Sequence, residues 1–312
     1  MTFNEYVEAV ERDIMDYLPR KYQHVTPQVH KVDKNNGTQL TGLTLRGEST
    51  VCPNIYLESY YNLYKDGMSI GETLEEISEV FQREMKNLPG FSLEDFTYEN
   101  MKDNLYYTVV NAEKNEKMLQ EIPHQRREDL AIVYRVQVSA HEDGIASILL
   151  KNEHLDYFGV DTNTLHEQAI KSMPKIMPHT FQSMNDIMAE ILDIGFEEFE
   201  VVEGEKQMWV LSNEKKMQGA AYIFDDEVMS SIAEKLGGNL IVIPSSIHEI
   251  IILKEEEDMD LEYIHGMVSE VNESEVGPEE VLSNEIYRFN AKENKLSLIE
   301  DFAQNQSMSM NM

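Results

Sequence analysis

The amino-acid sequence predicts an α+β fold with mixed, mainly antiparallel sheets and packed amphipathic helices. Segments with the twofold alternation of strands come in adjacent pairs, and segments with helical spacing lie between the pairs. Thr2–Glu5 and Ser69–Glu72 have the spacing of capping boxes, which mark helix starts. Strands in adjacent pairs with helices between them favour this class over a doubly wound parallel sheet.

The N-terminal half begins with a helix and a hairpin. Apolar residues at helical spacing predict a helix over residues 3–18, which Pro19 ends. The Asn-Gly pair at 36–37 tolerates the positive φ of a hairpin turn, so residues 27–32 and 39–45 are expected to pair. The other predicted elements of this half are strands over 51–57, 106–110, 130–138 and 146–150, and helices over 56–64, 70–85, 114–121 and from the capping pattern at Thr164 to Pro174.

Around residues 174–183 two prolines interrupt the periodicity, and we place a domain division there. The predicted regions are an N-terminal α+β region over 1–178, an acidic C-terminal α+β region over 179–302 and a disordered tail over 303–312.

The C-terminal region shows the same alternation of helices and strand pairs. Its helices are predicted over 185–194, 226–236 and 261–271. Its strands are predicted over 208–211 with 220–224, 240–243, 247–253, and 285–289 with 295–299. Gly237-Gly238 follows a helix and precedes a strand, the reverse of the order in a phosphate-binding loop, so it indicates a helix C-cap rather than a nucleotide site.

The charge of the chain is strongly acidic and unevenly distributed. It has 58 acidic against 26 basic residues, a net charge of −32, and residues 186–301 alone contribute −21. Such a surface repels phosphate backbones and anionic lipid, so we expect no direct nucleic-acid binding and no membrane binding. A charged partner is expected to be a basic protein.

The compartment follows from cysteine usage and hydropathy. The single Cys52 cannot form an internal disulfide, which fits a reducing compartment. The first residues lack a basic region followed by an apolar run, and no uncharged stretch reaches the roughly 20 residues that span a bilayer. We therefore expect a cytoplasmic protein, and the sequence leaves its oligomeric state open.

Several short segments resemble a bacterial family of unknown function, the domain-of-unknown-function 5688 group, found mainly in gut Firmicutes. These segments are Lys31–Gly37, Leu40–Leu43, Pro53–Leu57, Asp129–Arg135, Ile243–Glu249, Met267–Asn272 and Val281–Asn284. The resemblance covers residues 3–299 and implies an intracellular protein built as one continuous unit. It implies no activity, cofactor or catalytic residue.

The segment from Pro244 to Glu249 contains the residue types of a nucleophile, a base and an orienting carboxylate. In a strand, alternation places Ser246 and His248 on one face and Glu249 on the other, so Glu249 could not orient the histidine. One interpretation is a hydrolase or transferase that uses Ser246 and His248 with a carboxylate from elsewhere. In the other, Pro244 breaks the strand, the serines satisfy turn backbone groups and His248 forms hydrogen bonds at a sheet edge.

The nine histidines are scattered singly and form no pair at zinc-ligand spacing. We therefore expect no metal centre and no cofactor, although a carboxylate–histidine site assembled in three dimensions stays open.

Trp209 with Tyr222 and Phe224 could line an aromatic pocket, which would make the protein a sensor of a small ligand or peptide. At strand spacing the same residues could instead belong to the core.

The run Glu255, Glu256, Glu257 and Asp258 precedes a predicted helix. It is either a solvated loop at a helix N-terminus, where negative charge is favoured, or part of a surface that mimics nucleic acid in the basic groove of a partner. Our leading hypothesis is a non-enzymatic protein that binds or regulates a macromolecule through its acidic surface. The hydrolase or transferase and the sensor are the alternatives.

Overall fold

The computed structural model describes residues 1–47, 52–87, 93–141, 144–192 and 207–299. Their architecture is α+β with antiparallel sheets, which confirms the predicted class. The chain forms two compact units, one of residues 1–100 with 138–147 and one of 101–137 with 148–312. The predicted tail and the end of the helix predicted over 185–194 lie outside the described residues. These compact units do not test the domain division predicted at residue 178, which stays a prediction.

The first unit begins with the predicted helix and hairpin. Helix α1 (Phe3–Tyr17) has the expected capping box, in which Glu5 N donates to the Thr2 hydroxyl and Thr2 N donates to the Glu5 carboxylate. Strands β1 (Thr26–Asp33) and β2 (Gln39–Arg46) pair antiparallel across a turn in which Asn36 has a φ of 58°. The Asn-Gly prediction is thus confirmed.

The rest of the first unit covers this sheet. β3 (Asn54–Tyr56) pairs with β2, and α2 (Leu57–Lys65) and α3 (Ile70–Asn87) follow. The second capping box, between Ser69 and Glu72, is also confirmed. The buried core of the unit joins both sheet and helices through Tyr6, Val10, Ile14, Leu43, Leu45, Ile55, Leu57, Leu74, Ile77 and Phe81.

The described part of the second unit contains six α-helices and two sheets, and residues 138–147 of the strands β6 (Leu130–His141) and β7 (Gly144–Leu149) belong to the first unit. The first sheet has the order β4-β6-β5, with β7 paired to β6. Its strands and the helices near them are β4 (Leu105–Asn111), α5 (Glu116–Leu119), β5 (His124–Arg127), β6 (Leu130–His141), β7 (Gly144–Leu149), α6 (Asn152–Phe158) and α7 (Thr162–Ile176), and the short α4 (Tyr98–Met101) precedes them.

Helix α7 differs from its prediction at both ends. Its N-cap is Asp161, whose carboxylate accepts hydrogen bonds from the Thr164 N–H and hydroxyl, so Thr164 is not the cap. Pro174 lies inside the last turn rather than beyond it. The Ser172 hydroxyl donates to Leu105 O at 2.5 Å and ties the helix to the start of β4.

The second sheet has six antiparallel strands in the order β13-β12-β10-β11-β9-β8. Its elements are β8 (His179–Ser183), α8 (Met184–Leu192), β9 (Met208–Asn213), α9 (Asp226–Leu236), β10 (Leu240–Ile243), β11 (Ile250–Lys254), α10 (Leu261–Ser274), β12 (Tyr287–Asn290) and β13 (Lys295–Leu298). Gly237 ends α9 with a φ of 74°, which confirms the predicted C-cap.

Two strand predictions in this unit are wrong. Residues 219–224 form a 3-10 helix and not a strand, because β8 and β11 already occupy both edges of β9. The strand predicted from residue 247 begins at Ile250, and the preceding residues run in irregular backbone with one isolated bridge, Ser246 to Val281.

Candidate functional site

The Ser246 hydroxyl does not reach the ring of His248. Its oxygen accepts a hydrogen bond from the His248 backbone N–H at 3.0 Å, and the side chain is buried. Because the segment is not a strand, the alternation that placed both side chains on one face does not apply. The serine closes a local turn, as one of the two interpretations expected.

The ring of His248 is held at both nitrogens. Nδ1 accepts from the Gln218 backbone N–H at 3.3 Å, which places the proton of a neutral ring on Nε2. Nε2 lies 3.3 Å from a carboxylate oxygen of Glu280. A carboxylate from elsewhere does therefore orient this histidine, but the nitrogen that a nucleophile would need is occupied. Catalysis by Ser246 and His248 requires a hydrogen bond between their side chains, and these two residues do not form it in the structure. This role stays a prediction.

The backbone around these residues joins two neighbouring segments. The His248 carbonyl accepts from Gly219 N at 2.9 Å and from the Ser212 hydroxyl at 2.8 Å. On the other side, Ile247 N donates to Glu280 O at 2.9 Å and Leu282 N donates to Ser245 O at 2.8 Å. We call residues 244–249 the junction segment, since its hydrogen bonds hold the 3-10 helix and residues 280–283 together.

The aromatic residues considered for a pocket lie apart. Tyr222 is fully buried and donates from its hydroxyl to Met177 O at 2.5 Å. Trp209, on β9, stacks on Phe181 with ring centroids 5.0 Å apart, and the Lys235 ammonium lies over both rings. Trp209 and Tyr222 make no ring contact with each other within the described chain. The sensor pocket at Trp209 stays a prediction, and Tyr222 has the surroundings of a core residue.

The four acidic residues after β11 divide into two kinds. Glu255 turns inward, where one carboxylate oxygen lies 2.7 Å from Arg288 Nε and the other accepts from Asn239 Nδ2 at 3.0 Å. Glu256, Glu257 and Asp258 are exposed in the loop that leads to α10. This agrees with the interpretation of a solvated loop before a helix, except that Glu255 is part of the fold.

Helix α10 is anchored by one face. Asp260 caps its N-terminus by accepting from Tyr263 N at 3.0 Å. Leu261, Ile264 and Val268 pack against buried residues of β10, β11 and the chain before β12. The buried Asn272 amide completes the attachment by donating to Ser283 O and to the side chain of Asn284.

A second face of α10, beside the buried one, exposes a stripe of apolar side chains that sequence reasoning missed. Tyr263, Met267 and Val271 are 66%, 44% and 45% exposed, and their spacing of four residues places them in one row along the helix. Glu270 and Glu275 are exposed beside this row, since Glu270 follows Met267 by three residues and Glu275 follows Val271 by four. We call Tyr263, Met267 and Val271 the apolar stripe. The four-residue spacing of the apolar stripe is visible in the sequence. The buried face of the helix has a similar spacing, so spacing alone does not tell the two apart.

The chain segment that carries the apolar stripe contains many acidic residues and no basic ones. Between Lys254 and Arg288 the chain has twelve acidic residues and no lysine or arginine. Glu275 is the C-cap of α10, where the helix dipole disfavours a negative charge. The face therefore combines exposed apolar area with carboxylates that no basic residue of the helix balances.

The described residues contain neither a cluster of metal ligands nor a membrane-spanning helix. No three His, Cys, Asp or Glu side chains in this part of the chain come together in a way that could hold a metal ion. No described helix combines the length and apolar character needed to cross a bilayer.

The comparisons with known proteins give a family. A family model described as a family of unknown function (DUF5688) matches residues 3–291, which confirms the resemblance of the sequence segments. Neither the curated proteins nor the solved structures contain a match to the chain.

Proposed function

We propose that this chain, which belongs to the DUF5688 family, binds a basic amphipathic helix of a partner protein on the outer face of α10. The observation that carries the proposal is the apolar stripe, a row of three exposed side chains on a helix without lysine or arginine. Exposed apolar rows rimmed by charge are typical of docking surfaces. A helix laid along such a row is a recurring mode of recognition.

The apolar stripe determines where the partner helix binds more than how tightly it binds. Its side chains are already partly covered, so complete burial contributes roughly 1 kcal/mol each, less than the 1.5–3 kcal/mol of a side chain buried from full exposure. Three such contributions alone correspond to binding weaker than about 1 mM. Contacts between lysines of the partner and Glu270, Glu275 and the exposed loop carboxylates supply the rest. Such contacts are screened by salt.

A designed peptide tests the proposal directly. The probe is a labelled peptide of about 18 residues, made of leucine and lysine in a helical amphipathic order, and its control has the same composition in scrambled order. We expect the amphipathic peptide to bind measurably at about 0.1 M salt and at least tenfold more weakly at about 0.5 M. Fluorescence anisotropy provides the measurement. Equal binding of the scrambled peptide would contradict the proposal.

The chain offers a matched pair of tyrosines for the mutational control. Tyr263 on α10 is 66% exposed and Tyr157 on α6 is 61% exposed, so both changes to serine remove a similar exposed ring. We expect Tyr263→Ser to weaken peptide binding about tenfold and Tyr157→Ser to leave it unchanged. If both variants bind like the parent protein, the peptide sits elsewhere and α10 is not its site.

Glu275→Gln separates binding from folding by the direction of its effects. Removing a negative charge at the C-terminal end of α10 stabilises the helix by about 0.3–1 kcal/mol. The same change removes one contact to a basic partner. We therefore expect a higher free energy of unfolding together with weaker peptide binding. If stability and peptide binding both increase or both decrease, this carboxylate does not have the proposed role.

A further inference from the structure

A cleft of about 760 Å³ lies in the second unit, on residues other than those of α10 and the junction segment. Its walls come from the β5–β6 turn, one face of α7, the N-terminal end of α9 and the β12–β13 hairpin. The lining includes Arg127, His166, Lys171, Asp226, Tyr287 and Lys295. The volume is within the range of small-molecule sites.

Three cations line this cleft without a carboxylate partner. Within the part of the chain that the structure describes, no nitrogen of Arg127, Lys171 or Lys295 lies within 4.0 Å of a carboxylate oxygen. The Arg127 guanidinium donates to the side-chain oxygen of Gln125 at 3.3 Å. In a chain with more than two acidic residues for each basic one, these cations are available to an anionic group of a ligand.

Carboxylates line the same cleft, also without cationic partners. Asp226 and Glu227 begin α9 and are exposed, and neither forms an ion pair with a described residue. Asp225, in contrast, is committed to the helix, because it accepts from Val228 N at 3.0 Å as the N-cap. His166 adds no positive charge at neutral pH, since burial and the nearby Arg127 lower its pKa. The cleft therefore presents both signs of charge, separated by more than an ion-pair distance.

Between the charges the cleft has an apolar surface and a fixed floor. Ile170 on α7 is 42% exposed, and Phe224 and Leu296 are partly buried on other walls. At the floor, the Tyr287 hydroxyl donates to one Asp129 carboxylate oxygen, and the Ser283 hydroxyl donates to the other at 2.5 Å. Burial and the Asp129 carboxylate raise the pKa of Tyr287, so this phenol stays protonated.

We infer that this cleft binds a small apolar zwitterion, a short peptide or amino acid with a free ammonium group and a free carboxylate. The carboxylate pairs with Arg127, whose planar guanidinium matches its two oxygens, with Lys171 nearby. The ammonium group pairs with Asp226 and Glu227 at the N-terminal end of α9. The apolar side chains of the ligand cover Ile170 and Phe224. The volume accommodates a peptide of a few residues better than a single amino acid.

The experiment uses leucyl-leucine and three relatives as probes, titrated calorimetrically into the full chain. N-acetyl-leucyl-leucine lacks the ammonium charge, leucyl-leucine amide lacks the carboxylate, and free leucine keeps both charges on a smaller body. We expect leucyl-leucine to bind and each capped form to bind at least tenfold more weakly. A comparable affinity for free leucine would assign the site to amino acids. Absence of binding by all four at millimolar concentration, or equal binding of the capped forms, would overturn the inference.

Two variants test the orientation of the ligand. Arg127→Gln is expected to weaken leucyl-leucine binding about tenfold and to abolish the preference over the amide, and Asp226→Asn is expected to abolish the preference over the acetylated form. Arg126→Gln is the matched control, because Arg126 is a neighbouring exposed arginine outside the cleft lining. Retained discrimination in both cleft variants would refute the assigned contacts. All of these positions lie outside α10, so the result is independent of the docking proposal.

Discussion

A pair of glycine-to-alanine substitutions gives the sharpest test of how the second unit is packed. At Gly219 an added Cβ would lie 2.5 Å from the Ser212 hydroxyl oxygen, 2.7 Å from Ser212 Cα and 2.7 Å from the His248 carbonyl oxygen. Two of these atoms belong to the backbone, so no change of rotamer relieves the overlap. At Gly266, on the outer side of α10, an added Cβ meets nothing within 4 Å.

The magnitudes follow from these surroundings. Overpacking of a tight core site costs about 1–3 kcal/mol. Moving the backbone at Gly219 also weakens the two hydrogen bonds that the His248 carbonyl accepts, each worth about 0.5–1.5 kcal/mol net. We therefore expect Gly219→Ala to lower the free energy of unfolding by about 2–6 kcal/mol. Gly266→Ala is expected to raise it by about 0.5–1 kcal/mol, the usual gain for alanine over glycine in a helix.

Urea denaturation followed by fluorescence measures both effects in the same unit. Trp209 is the only tryptophan of the chain and lies on β9, which belongs to the sheet on which α10 packs and ends a few residues before the 3-10 helix of Gly219. The comparison requires that both variants have the same slope of unfolding free energy against urea concentration. Under that condition a shift of the midpoint reports a change in stability. A near-neutral Gly219→Ala, or the same sign for both substitutions, would refute the packing of the junction segment against the 3-10 helix.

Three further predictions concern single side chains. Tyr287→Phe removes a hydrogen bond to the Asp129 carboxylate and should destabilise the protein by about 1–3 kcal/mol, an effect that a double-mutant cycle with Asp129→Asn should reduce. Asp225→Ala removes the N-cap of α9 and should cost about 1 kcal/mol in the same urea measurement. His166 has a lowered pKa in the folded state, so its contribution to stability is complete above its ordinary value of 6.5 and is lost as the pH falls through the lowered value. His166→Leu should therefore flatten the decrease of stability on the acid side, and an unchanged pH profile would contradict the assignment.

The local signals in the sequence predicted the elements that satisfy their own backbone groups. Both capping boxes and the Asn-Gly turn formed as expected because their partners lie within three or four residues. The predicted strand over 220–224 failed for the opposite reason. The two edges of β9 pair with β8 and β11, so no edge is left for residues 220–224 to pair with. These small and apolar residues form a 3-10 helix instead.

The functional surfaces were harder to predict because sequence spacing does not say which face is buried. In α10, Ile264 and Val268 fit the helical period as well as Met267 and Val271 do, and only the packing on the sheet separates them. Glu255 was indistinguishable from the other acidic residues of its run until Arg288 from another strand paired with it.

The cleft carried no local signal at all. Arg127, Lys171, Asp226 and Lys295 are each more than 40 residues from the next, and they meet only through the order of the elements that carry them. Spacing rules cannot find a site of this kind.

The junction segment has a consequence for how the family can vary. Most of its links are made by peptide groups rather than side chains, including those from Gly219 and Ala220 on one side and to Glu280 and Leu282 on the other. Peptide groups are common to all residue types, so substitution here preserves the links, whereas an insertion or deletion shifts every donor past its acceptor. In an alignment of relatives, residues 244–249 should therefore show constant length before they show constant identity.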